Sequence, residues 1–228
     1  MEQERANRPH IFRDRRDAGR QLGQVLANNV MTTTCIVLGL PRGGVPVAFE
    51  VAAQLGAQLD VFLVRKLGVP GHEELAMGAI ASGGKIVLNE ELVQREGLSR
   101  HEIDRVLQSE KKKLAHREEL YRKNRPFPEI KGRSVVLVDD GLATGSSMLV
   151  AIRAIKEYPP AEITVAVPVG SEEVCHSLNK EADKVICLKS PRDFRAVGQW
   201  YQNFSQTTDE EVIQLLAEAN SGTGDENY

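Results

Sequence analysis

"VVLVDDGLATGSS", residues 135–147, sets two adjacent carboxylates, Asp139 and Asp140, between an apolar run and a loop of glycine and hydroxyls. Four consecutive apolar residues ending at acids read as a strand buried on both faces, and the chain after Gly145 reads as the start of a helix. A strand, a small-residue loop and a helix N-terminus together present converging N–H groups and a positive dipole end, which suits a phosphate. Thr144, Ser146 and Ser147 add hydroxyl donors. A Walker loop would need a lysine just before its final Ser or Thr, and none stands here. An aspartyl nucleophile of the dehalogenase kind would need carboxylates two apart, whereas Asp139 and Asp140 are neighbours.

Outward from this stretch, apolar strand-like runs alternate with segments of helical period, the pattern of a parallel sheet covered by helices. A helix is expected over about 13–28, a strand at 35–40 ("CIVLGL") and a helix over 45–55. "LDVFLVRKLG" (59–68) reads as one further strand, and "GVPGHEELAMGAIASGGKIVL" (68–88) as a loop running into a short hairpin. "EITVAVPV" (162–169) and "DKVICL" (183–188) are strands around a helix near 171–180. "TTDEEVIQLLAEA" (207–219) is a last helix with a Thr208–Glu211 capping box, followed by a tail, 220–228, expected to be disordered. The fold class is therefore α/β, a central, mostly parallel sheet flanked by helices in one domain over 1–228. Its core covers about 12–188, with a helical insertion at about 90–126 and a C-terminal segment at about 189–219.

The insertion breaks the alternation. Ser99 to Arg125 opens on a Ser99–Glu102 capping box and carries a thin apolar stripe of Ile103, Val106, Leu107, Leu114 and Tyr121. Its cations, Lys111, Lys112, Lys113, Arg117, Arg122, Lys123 and Arg125, alternate with Glu110, Glu118 and Glu119 in salt-bridge register. A solvated face or a subunit contact is favoured over an RNA-binding face.

Composition narrows the function classes. A net charge of −3 over 228 residues offers no general attraction to nucleic acid or an anionic membrane. The N-terminal stretch has no apolar leader and no run approaches the ~20 residues of a bilayer span. A soluble, cytoplasmic protein is expected. Cys35, Cys175 and Cys187 are scattered and read as buried thiols. His72 and His101 lack the second histidine of a zinc helix, so no metal is expected to be held by protein side chains alone.

Adjacent acids beside a phosphate cradle suit a ligand with vicinal hydroxyls near its phosphate, such as ribose 5-phosphate. Here the sequence resembles the type I phosphoribosyltransferases, whose signature is four apolar residues, two acids, two mostly apolar residues and a small-residue loop. Gly141 departs from it, standing where the family usually has an aliphatic residue. "LPRGGVPVA" (40–48) resembles the family's pyrophosphate loop, and "VRKLG" (64–68) puts Lys66 where relatives keep a cation. "FRDRRDAGRQL", "RKLGVPGHEELAMGAI" and "AVGQWYQNFSQTTDEEV" are similar to a branch of bacterial members, so the likeness covers nearly the whole chain.

The resemblance implies the type I fold with a small C-terminal hood and a Mg²⁺-dependent transfer of a phosphoribosyl group from 5-phosphoribosyl 1-diphosphate to a nucleobase-like nitrogen, or the reverse. Asp139, Asp140, Arg42 and Lys66 would serve catalysis. Gly141, Leu142, Ala143, Thr144, Gly145, Ser146 and Ser147 would bind the 5-phosphate, and Pro41, Arg42, Gly43, Gly44, Arg65 and Lys66 the diphosphate. Mg²⁺ would come with the substrate, near Asp139 and Asp140. The Pro41–Arg42 peptide bond is expected to be cis, residues 68–84 are a candidate lid, and a homodimer is expected with the charged helix at or near its interface.

The acceptor stays open. Ala143 stands where 6-oxopurine enzymes keep a carboxylate, and "LATGSSM" resembles the uracil enzymes, while "FRAVGQWYQNF" (194–204) resembles the 6-oxopurine hood. Phe194, Val197, Trp200 and Tyr201 could hold a planar base, or the aromatics could pack on the first helix. A regulator sensing a phosphoribosyl ligand on the same fold is the alternative to an enzyme; retention of Arg42, Gly43, Gly44 and Lys66 together favours the enzyme.

Overall fold

The structure is a computed structural model and describes residues 11–29, 35–123 and 125–221. Five parallel strands form the central sheet: β1 (Cys35–Gly39), β2 (Gln58–Val61), β6 (Ser134–Val138), β7 (Glu162–Val169) and β8 (Lys184–Lys189), in the order β2-β1-β6-β7-β8. Strands β1 and β6 are buried at every position, the mark of a sheet covered on both sides. Period-2 alternation divides their residues between two cores. Val37, Val136 and Val138 face helices α1 (Arg15–Asn29) and α2 (Gly44–Leu55). Ile36, Leu38, Val135 and Leu137 face α5 (Ser146–Lys156) and α6 (Glu172–Leu178).

That division positions the site. The helix following β1 covers one face and the helix following β6 the other, although β1 and β6 are neighbours paired from Cys35↔Ser134 to Gly39↔Val138. The two connections diverge and leave a crevice at the strands' carboxyl ends, the switch point where open α/β sheets bind ligands.

Two expectations need correction. "LDVFLVRKLG" is two strands in two sheets: β2 ends at Val61, and Val64–Val69 (β3) pairs antiparallel with β4 (His72–Ala81). The chain pivots at Phe62 and Leu63; the Phe62 amide still donates to the Gly39 carbonyl (2.9 Å), whereas the Leu63 amide donates to the Ser82 hydroxyl (3.0 Å). A continuous apolar run cannot say which partner each half will take. Nor is 68–88 a loop with a short hairpin. β3, the ten-residue β4 and β5 (Lys85–Leu88) form a three-stranded meander, turning at Gly71 and again at Gly83 and Gly84, all at positive φ.

The charged insertion is α3 (Glu90–Arg95) followed by α4 (Arg100–Arg122). Its thin stripe is enough to cover the meander and the last helix, α7 (Asp209–Ser221): Leu114 and Tyr121 are buried, with Ile103, Val106 and Leu107 packed beside them. The capping box forms as read, the Glu102 amide donating to the Ser99 hydroxyl (3.3 Å) and the Ser99 amide to the Glu102 carboxylate (2.9 Å). Ser99→Ala is expected to cost about 1 kcal/mol in urea unfolding; no change there would mean that α3 and the meander alone hold the start of α4. At α7 the Glu211 amide donates to the Thr208 hydroxyl (3.1 Å). Asn220 and Ser221 close this helix, and the rest of the expected tail lies outside the described residues.

Candidate functional site

Three backbone elements meet at the crevice. Asp139 and Asp140 follow β6 directly. The turn 40–44 follows β1, held by Leu40 donating to the Val138 carbonyl (2.8 Å) and Gly44 donating to the Leu40 carbonyl (3.0 Å), and its Pro41–Arg42 bond is cis, as expected. The loop 141–147 leads into α5, anchored where the Leu142 amide donates to the Val169 carbonyl (2.9 Å).

The fit of turn against acids explains both glycines. A Cβ on Gly43 would lie 2.0 Å from an Asp140 carboxylate oxygen, and one on Gly44 would lie 2.9 Å from the Asp139 Cα. Neither position has room for a side chain. At the start of α5, Gly145 sits at φ +71 and supplies no side-chain cap, so the first-turn amides stay available to a ligand apart from a long contact of Ser146 N with the Thr144 hydroxyl (3.4 Å). Gly141, where the family motif departs from its usual residue, also has a reason: a Cβ there would lie 2.6 Å from Val197, whose side chain fills the space instead.

The carboxylates differ in their support. Arg15 donates from Nε to Asp140 (2.7 Å) and from Nη1 to the Ser205 carbonyl (2.6 Å), with its guanidinium 3.9 Å over the Phe204 ring. The Tyr201 hydroxyl donates to the Asp140 carbonyl (2.6 Å), and Tyr201 packs against Phe12 and Phe204. Asp139 accepts the Asp140 amide (2.8 Å) and has no cation within salt-bridge distance among the described residues. Enclosure, reinforced by the Asp140 charge, holds the Asp139 carboxyl well above the usual carboxylate range. Enclosure raises Asp140 too, with Arg15 pulling against it.

These shifts make a stability prediction. Below the ordinary carboxylate range both groups are protonated in folded and unfolded chains alike, and there is no penalty. As pH rises past that range the unfolded chain ionises freely and the folded chain resists, so stability falls until the raised folded values are passed. Asp139→Asn keeps the acceptor for the Asp140 amide and removes the charge. It is expected to raise the thermal midpoint at neutral pH, with the gain vanishing in acid. A gain equal at both pH values would assign the effect to packing.

The other candidates are distributed around this centre. Arg42 lies 3.9 Å from Asp209 of α7. Arg65 lines a small cavity with Pro41, Asp139 and Ser147, whereas Lys66, 3.4 Å from Glu74, does not line it and shares with Arg65 a second cavity beside α4. Phe194 lines a wider cavity of about 970 Å³ with Ala143, Thr144, His176, Arg192 and Arg195. Val197 covers Gly141, and Trp200 and Tyr201 pack with Phe12 and Ala18 of the N-terminal region, the second of the two readings of these aromatics.

A family model described as a phosphoribosyl transferase domain matches residues 16–202, from α1 through the crevice to the aromatic segment. The chain belongs to that family. Among its relatives are Rv0571c and MT0597 of two Mycobacterium tuberculosis strains, both bearing phosphoribosyl transferase in their names. Each is 46% identical over 209 residues, 92% of this chain and 47% of the relative. The chain thus spans about half the length of the curated relatives it matches. The crystal structure of TT1426 from Thermus thermophilus is 45% identical with a TM-score of 0.82, over 91% of this chain and 98% of that one.

In this phosphoribosyl transferase domain the residues missed by sequence reasoning are Arg15, Tyr201 as a support of Asp140, and Arg117, which lines the cavity of Asp139. "FRDRR" gave no local reason to single out Arg15. Arg117 left a trace: it interrupts the apolar stripe between Leu114 and Tyr121 at spacings of three and four, so it points inward with them.

Proposed function

We propose that this chain transfers the 5-phosphoribosyl group from 5-phosphoribosyl 1-diphosphate to a ring nitrogen of a heterocyclic acceptor, or runs that reaction in reverse. The observation that carries this reading is the convergence of the two acids, the glycine turn 40–44 and the open start of α5 on one switch-point crevice. The 5-phosphate would take the amides and hydroxyls of Thr144 to Ser147, and the ribose hydroxyls would face Asp139 and Asp140. The Gly43 and Gly44 backbone with Arg42 would meet the diphosphate, whose departure leaves an oxocarbenium-like ring. The carboxylates favour that cationic ring more than the neutral donor, which is where rate is gained. Lys66 remains in this reading as a residue that would turn to the leaving group if the β3–β4 hairpin closes over the crevice.

Two carboxylates stand here, and no cluster of three or more metal-ligating side chains occurs among the described residues. This donor set suits Mg²⁺, which takes one or two carboxylates, keeps waters and completes its shell with phosphate oxygens. Bound with the donor, Mg²⁺ would neutralise charge on the departing diphosphate. The acceptor would enter beside Phe194, Ala143 and Thr144, and Ala143 offers it no general base. The homodimer and the cytoplasmic setting expected from the sequence belong to the same proposal. No helix among the described residues is long and apolar enough to cross a membrane.

Incubation with Mg²⁺, labelled donor and a panel of purines, pyrimidines and related heterocycles tests the reading. Acceptor-dependent diphosphate release is the expected outcome. Tight donor binding with no release for any acceptor would favour the sensing regulator instead.

A further inference from the structure

We propose that Arg117, carried into the crevice by the inserted helix α4, binds an oxygen of the leaving diphosphate. The inference rests on the reading of the crevice as a phosphoribosyl diphosphate site.

The inward stripe of α4 runs Ile103, Val106, Glu110, Leu114, Arg117, Tyr121, at spacings of three and four. Its apolar members cover the meander and α7, so its two charged members need separate reasons. Glu110 has one: its side chain is 13% exposed and receives Arg65 and Lys113, each at 2.6 Å. Arg117 is also partly buried, yet it makes no hydrogen bond or ion pair among the described residues. A partly buried guanidinium with no anion beside it gains a charge-assisted hydrogen bond when an anion enters the space it lines.

What Arg117 faces identifies that anion. It lines a cavity of about 120 Å³ with Leu40, Pro41, Arg65, Asp139 and Ser147. At roughly 30 Å³ per water this is space for about four waters, the scale of one phosphate-sized group. Pro41, the first residue of the glycine turn, forms one wall. Of the 5-phosphate loop, Ser147 reaches this cavity and Thr144 lines the wider one, so the space lies between the turn and the helical end of that loop. Arg65 is already paired with Glu110, which leaves Arg117 as the cation of this lining without an acidic partner among the described residues. A group bound between the turn and Asp139 therefore meets Arg65 from β3 and Arg117 from the insertion.

The test is calorimetric titration of the full chain, with Mg²⁺ present, using inorganic diphosphate and, separately, ribose 5-phosphate. Arg117→Gln is expected to weaken diphosphate binding by about 10- to 100-fold, the size of one hydrogen bond to a charged group, and to leave ribose 5-phosphate binding unchanged. Arg117→Lys should recover part of the loss, since it restores the charge without the fork. The thermal midpoint of Arg117→Gln should not fall, because no partner is left unpaired. If the unsubstituted protein binds both ligands and Arg117→Gln binds diphosphate equally well, or loses both ligands equally, the role of Arg117 is overturned while the crevice reading stands. If the unsubstituted protein binds neither, the crevice reading itself fails and Arg117 with it.

Discussion

Asp140→Asn is expected to slow phosphoribosyl transfer by about 100-fold or more while changing donor binding little. The substitution is close to isosteric, and the surroundings hold the position in place without the charge. The Arg15 Nε, now 2.7 Å from the carboxylate, can donate to an amide oxygen, and the Tyr201 hydroxyl grips the backbone carbonyl whatever the side chain. What disappears is half of the negative charge facing the ribose. That charge matters little to a neutral sugar and much to a ring turning cationic as diphosphate departs. Single-turnover rates set against donor affinity separate the two. Equal losses in both would mean that Asp140 merely binds the sugar, and the electrostatic role would be wrong.

Arg122→Leu should cost about 3–5 kcal/mol of folding stability, the penalty for removing one partner of a buried charge pair. Arg122 was read with the basic face of the insertion, but its side chain is 3% exposed. It donates to Asp60 (3.1 Å), Glu118 (2.8 Å) and the Val61 carbonyl (2.7 Å), which ties α4 to the end of β2. Burial pushes the Asp60 carboxyl up against the pull of this arginine, so without Arg122 it must stay charged and unsolvated or take up a proton. Urea unfolding at neutral pH measures the loss. The paired change Asp60→Leu with Arg122→Leu should recover much of it, because two apolar groups leave no orphaned charge. A single-variant loss below about 1 kcal/mol would put Arg122 with surface ion pairs.

The centre of the site was legible because it is local. Asp139, Asp140 and the loop to Ser147 are consecutive, and the apolar run, the acids and the small residues each carry their signal within thirteen positions. The supports were not legible, because they depend on distance in the chain. Arg15 reaches Asp140 across 125 positions, and the reason for Gly141 is Val197, a residue in another segment. The strand at 59–68 was misread for a related reason: burial on both sides gives the same apolar run whether one sheet or two will claim it. In α4, counting cations by composition put Arg117 and Arg122 on a solvated face. Phase against Leu114 and Tyr121 turns Arg117 inward, whereas Arg122 is drawn in by Asp60 and the Val61 carbonyl, far away in the chain.

The buckle formed by Arg15, Tyr201, Phe204 and Ser205 has a consequence for how the protein becomes competent during synthesis. Chains emerge from the N-terminus and domains fold largely as units, so the sheet neighbours of β6 can assemble while the aromatic segment is still unmade. The contact from Arg15 to the Ser205 carbonyl spans 190 positions and can close only once that residue has been made. A nascent chain halted after β8 is therefore expected to hold the glycine turn and the phosphate loop in place but to leave Asp140 unsecured by Tyr201. Competence for chemistry would then follow compactness of the sheet rather than accompany it.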